Sequence, residues 1–104
     1  MAPTESNPSA SRIESEVRRA RALLNVRRFA DALEIAQALQ REVPENRDVL
    51  YLVAVSQRCL GRVADALRTL LCLEKAHPTF GRLFQERGHC YRAVAETAAA
   101  AMPL

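Results

Sequence analysis

At 104 residues the chain is one small domain or part of one, and its 49% apolar and 26% charged residues are ordinary for a folded protein. The net charge of +3 is spread over both signs rather than gathered in a basic tail, which argues against nucleic acid as a ligand. No apolar run approaches membrane-spanning length, and "MAPTESNPSA" has neither an apolar core nor a cationic leader, so a cytoplasmic protein without a membrane anchor is expected. Cys59, Cys72 and Cys90 are odd in number and form no CxxC, which reads as buried or half-buried thiols in a reducing compartment. Many good helix formers, few β-branched residues and only three Gly favour an all-α fold.

Residues 1–10 are rich in Pro, Ser, Asn and Thr and read as a disordered tail ahead of a helical domain spanning 11–104. Order is expected from Ser11, because "SRIE" is a capping-box pattern in which Ser11 and Glu14 satisfy each other's amides. Ile13, Val17, Ala20, Leu23 and Leu24 then recur at helical spacing. A second helix is expected over Phe29–Val43, with Phe29, Ala32, Leu33, Ala36 and Leu39 on one face and Pro44 as its stop. A third covers Arg47–Leu60 and ends at Gly61, a residue suited to the left-handed conformation after a helix. A fourth spans Val63–Ala76, and a fifth runs from Thr79 or Phe80 to about Ala95. Pro103 forbids a long sixth. The short linkers make successive helices antiparallel neighbours.

The pattern recurs without a gap at 34 residues. Leu60-Gly61-Arg62-Val63-Ala64-Asp65-Ala66-Leu67 lies over Val26-Arg27-Arg28-Phe29-Ala30-Asp31-Ala32-Leu33, and Pro78 lies over Pro44. Such a period signals stacked supersecondary units. In the middle unit Leu50, Val53, Ala54 and Gln57 are followed by Gly61, Val63, Ala66, Leu70, Leu73 and Pro78. The third unit places Phe84, Gly88 and Tyr91 at the offsets of Leu50, Ala54 and Gln57. In these residues the chain resembles the tetratricopeptide repeat family over about 12–95. The resemblance implies a helix–turn–helix solenoid of about two and a half repeats, 13–46, 47–80 and a truncated 81–104. In such a unit Ala54 and Ala66 let two helix backbones approach, and Leu70 and Leu73 fill the space to the next unit.

A narrower resemblance lies in "LYLVAVSQRCLGR" and "FGRLFQERGHCYRAV", which look like the repeat region preceding the catalytic domain of bacterial tetratricopeptide-containing sulfotransferases. It implies, as an alternative, the N-terminal repeat region of such an enzyme. Three isolated Gly supply no phosphate-cradling loop, so no cofactor and no catalytic residue is expected in this chain. Two His and three scattered Cys do not form a zinc set. Asp31 and Asp65 recur at a helix start, where a carboxylate favours the helix dipole.

The family binds partner chains on the exposed side of the first helix of each unit. Carried onto this chain by the resemblance, that face is Asp48, Tyr51, Val55 and Arg58 in the middle unit and Arg82, Gln85, His89 and Arg92 in the third. In the first unit it is Glu14, Val17, Arg21 and Leu24. Four Arg, one His and one Tyr against two acids suit an acidic or C-terminal peptide segment, since Arg grips carboxylates bidentately. The clamp by which some family members hold a chaperone's terminal carboxylate is not expected. Val17, Arg21 and Leu52 stand where it needs Lys and Asn, and Glu86 stands where it needs a cation. After Tyr91 the usual Gly turn gives way to Val94-Ala95-Glu96 and an Ala run, so the last unit lacks a full second helix. That edge is expected to be uncapped, with self-association as its consequence.

Overall fold

The computed structural model describes residues 8–101. It contains five helices, α1 (Pro8–Asn25), α2 (Phe29–Glu42), α3 (Arg47–Cys59), α4 (Val63–Ala76) and α5 (Gly81–Ala101), and no strand among the described residues. No described helix is long and apolar enough to cross a membrane. Each helix packs on the next through a three- or four-residue connection, a geometry that makes neighbours antiparallel. α3 also touches α1 and α5, whereas α2 and α4 do not meet. The helices therefore form two layers, with α1, α3 and α5 side by side in one and α2 and α4 in the other.

The backbone repeats bond for bond at the sequence period. At the end of α1 the amides of Val26, Arg27 and Arg28 donate to the carbonyls of Ala22, Leu24 and Leu23 at 3.2, 3.0 and 2.8 Å. Thirty-four residues on, Leu60, Gly61 and Arg62 donate to Ser56, Arg58 and Gln57 at 3.1, 2.9 and 2.8 Å. This is the paired closure of a Schellman end, and it needs a left-handed residue at its centre. Gly61 supplies it with φ 82°, and Arg27 is forced into it with φ 65°. The next residues also coincide, Arg28 at φ −92°, ψ 69° and Arg62 at φ −90°, ψ 63°. The second turn repeats as well. Val43 donates to Leu39 at 2.9 Å and His77 to Leu73 at 2.8 Å, with Pro following each. Asn46 adds a side-chain cap, accepting from the Val49 amide at 3.0 Å.

Two core clusters sit either side of α3. Val17 and Ala20 of α1, Leu33, Ala36 and Leu39 of α2, and Val49, Leu52 and Val53 of α3 form the first. Leu50 and Ala54 of α3, Ala66, Leu70 and Leu73 of α4, and Leu83 and Cys90 of α5 form the second. α3 is thus apolar on two faces, each buried large side chain contributing roughly 1.5–3 kcal/mol. Ala54 and Ala66 are both fully buried, and their small side chains set the close α3–α4 approach. Gln57 is buried too, and its Oε1 accepts from the Thr69 hydroxyl at 2.7 Å.

Several expectations are corrected. α1 begins at Pro8, so Ser11 and Glu14 lie inside the helix and form no capping box. Proline at a first helical position costs no hydrogen bond there, which lets the helix start earlier. Residues 8–10 of the expected tail are therefore helical, while 1–7 lie outside the described residues. α5 runs unbroken to Ala101 rather than ending near Ala95, because nothing in the alanine-rich stretch halts it. Pro103, expected to bar a sixth helix, lies outside the described residues. Cys72 is exposed rather than buried, whereas Cys59 is half-buried and Cys90 buried.

Arg27 carries a left-handed backbone that costs an L-residue about 1–2 kcal/mol. Arg27→Gly is expected to raise stability by about 1 kcal/mol in denaturant unfolding. Gly61→Ala should lower it by a similar amount, since the added methyl meets open space and only the backbone objects.

Candidate functional site

The candidate site is the surface where α1, α3 and α5 lie side by side. Tyr51 stands half-buried at its centre. Phe80, in the connection before α5, meets its ring edge-on at 5.6 Å between centroids with an interplanar angle of 87°. The Arg82 guanidinium lies over the Tyr51 ring at 5.9 Å, and that of Arg47 lies over Phe80 at 4.9 Å. This cation–aromatic run fixes the start of α5 against the start of α3. Burial pushes the Tyr51 phenol above its ordinary pKa, and the Glu86 carboxylate adds to the effect. The cations Arg82, Arg58 and Arg21 oppose it. Residues from three helices thus act on one phenol, which stays a neutral hydrogen-bonding group through physiological pH.

Beside Tyr51, Arg58 of α3 grips Glu86 of α5 with two prongs. Nε donates to Oε2 in a short bond, and Nη2 donates to Oε1 at 3.3 Å. Glu86 is 2% exposed and Arg58 26%. The carboxylate holds the guanidinium pKa above its ordinary value through that hydrogen bond, against the opposing effect of burial. The pair occupies a revealing register. Thirty-four residues earlier the same two positions are Leu52, in the first core cluster, and Leu24, packed against that cluster. An apolar contact in one unit has become an ion pair in the next. The Cys59 and Cys90 thiols also have raised pKa values, chiefly through burial and further through the Glu86 charge.

The remaining expected residues divide. Arg82, Gln85 and Arg92 are exposed on α5, and half-buried His89 contacts Arg92, its Nδ1 lying 3.4 Å from Nη2. Arg21 is exposed on α1. Asp48 is half-buried, with the Arg47 guanidinium 3.5 Å away. Two first-unit residues leave the face. Val17 is 8% exposed because α3 closes over it, and Leu24 packs on the same cluster. His77 ties two connections together. Its Nε2 lies 2.6 Å from the Glu45 carbonyl and links the two Pro-containing connections.

Glu86 and Phe80 are the site residues that reasoning from the sequence undervalued. The signal for Glu86 was its offset from Leu52, which puts a carboxylate in a core register that demands a buried cation. Among the described residues no three His, Cys, Asp or Glu side chains gather into a metal-binding group.

No family model, curated protein or solved structure matches the chain.

Removing one partner of a buried ion pair strands the other. Arg58→Leu is expected to cost about 3 kcal/mol, and Arg58→Leu/Glu86→Leu, which recreates the Leu24 and Leu52 arrangement, should return most of it. A double variant no more stable than Arg58→Leu would show that the pair does not act as a unit. Because the Tyr51 pKa is raised in the fold, its neutral form contributes stability below the unfolded value of about 10, and that contribution fades as pH rises through the higher folded value. A phenolate absorbance titration of wild type minus Tyr51→Phe should show one phenol ionising above the ordinary range.

Proposed function

We propose that the chain is a non-catalytic, tetratricopeptide-type module that binds an acidic peptide segment along the concave face lined by α1, α3 and α5. The observation that carries this reading is the set of cations on this surface that lack an acidic partner. Arg21, Arg82 and Arg92 have no acidic partner among the described residues. An extended segment lying across α1, α3 and α5 would meet a guanidinium on either side of the phenol, with Gln85 and His89 as further hydrogen-bonding groups. Arg–carboxylate pairs are the strong, directional contacts such a ligand would use. Arg58 takes a different part. Engaged by Glu86, it holds α5 against α3 and positions Arg82 and Arg92 rather than gripping the ligand.

The 34-residue backbone repeat and the alternation of layers support the repeat assignment. Each unit buries its apolar side on the next, and the first helices of successive units line one surface.

The test is fluorescence anisotropy with a labelled Asp/Glu-rich peptide. Arg21→Glu and Arg82→Glu should each weaken binding about tenfold, equivalent to about 1.4 kcal/mol, and added salt should weaken it further. Arg41→Glu, on α2 in the other layer, should change affinity little. Equal losses at all three positions would mean diffuse charge attraction, and equal binding of a Lys-rich peptide would overturn the proposal. Arg58 variants are poor probes because they strand Glu86.

A further inference from the structure

Among the described residues one side of α5 is left uncovered, and the chain itself shows what fits there. On α3, Leu50, Ala54 and Gln57 are 1%, 0% and 9% exposed, against α4. Their 34-residue counterparts on α5 are Phe84, Gly88 and Tyr91. Phe84 is 48% and Tyr91 59% exposed, and a Cβ on Gly88 would meet no atom within 4 Å. Val94, one turn further on, and Leu71 of α4 extend the patch. The same register that is sealed by a helix on α3 is open on α5.

We propose that a second copy of the chain docks on this face, the α5 of each copy lying across Phe84, Gly88, Tyr91 and Val94 of the other. The occupant must be a helix with small residues, because α4 reaches α3 by setting Ala66 close to Ala54. The last two turns of α5 are such a helix. From Ala95 to Ala101 every residue is exposed, five of the seven are Ala, and the Thr97 hydroxyl is satisfied by the Ala93 carbonyl at 2.9 Å. Each copy therefore carries both the aromatic surface that receives a helix and the alanine-rich helix that covers one. Two-fold symmetry can satisfy both at once. The charges at this face suit a like partner as well. Arg87 and Glu74 neutralise each other across α4 and α5 at 2.7 Å, so neither need enter the interface unpaired. The surface around Tyr51, with Arg21 and Arg82, would repel a copy of itself.

Sedimentation velocity of the full chain over a concentration series tests this directly. The wild type should show a monomer–dimer equilibrium. Gly88→Leu is the decisive variant, because the site is open and Leu is the better helix former, so the monomer fold should not suffer. It should nonetheless raise the dimer Kd at least about tenfold by blocking the close approach. Tyr91→Glu should do the same with helical content retained, and Arg21→Glu should leave the dimer intact. A wild type that stays monomeric throughout, or a dimer indifferent to both Gly88→Leu and Tyr91→Glu, would overturn the proposal. Acidic-peptide binding, which uses the other face, would survive either result.

Discussion

A carboxylate in a core position must find a cation, and the α3–α5 contact is organised by that requirement. Glu86 stands where the preceding unit buries Leu52, in a register that permits almost no water. Desolvating a lone carboxylate costs far more than a small domain can spare, so its burial depends on a partner of opposite charge with matching geometry. Arg58 provides that from the neighbouring helix with two donors on one carboxylate. An apolar pair at this place would tolerate sliding, because dispersion contacts are not directional. A two-pronged ion pair does not slide. It ties the register of α5 to that of α3, and with it the position of every α5 residue that shares the surface with Tyr51.

α3 is the element through which this order spreads. Its two apolar faces belong to different clusters, one shared with α1 and α2 and the other with α4 and α5. Loosening α3 would open both clusters together, whereas α1 and α5 each belong to only one. The polar links lie along the same path, with Gln57 bonded to Thr69 of α4 and Arg58 to Glu86 of α5. Among the described helices α1 and α5 are consequently the least supported, each contributing to a single cluster.

α5 differs from α3 in that, among the described residues, no further helix packs across its outer side. Its inner side, Leu83, Glu86 and Cys90, is buried as the repeat demands. A stripe along its outer side, Phe84, Gly88, Tyr91 and Val94, carries residues of the type α3 buries, with the Arg87 guanidinium over the Phe84 ring but no helix laid across them among the described residues. The edge facing Tyr51 presents Arg82, Gln85 and His89.

Much of this was legible in the residues alone. The 34-residue offset set the helix order, the positions of both turns and the buried status of Ala32, Ala54, Ala66, Leu70 and Leu73, because helix propensity and apolar spacing are local properties. Gly61 announced its left-handed turn, since glycine alone adopts it without cost. Arg27, at the equivalent place, announced nothing. Only the packing of α1 on α2 and α3 decides that an arginine must bear that strain. In the same way Val17 reads as an exposed face residue until α3 covers it, and Ser11 reads as a cap until the helix is seen to start before it. Arg58 reads as a ligand-facing cation and Glu86 only as a misfit to the carboxylate clamp, because the meeting of two residues 28 apart depends on the angle between their helices. The sequence by itself determined where helices begin to repeat and which stripes are apolar. The tertiary structure decided which charges face each other, because that depends on long-range geometry that no local pattern records.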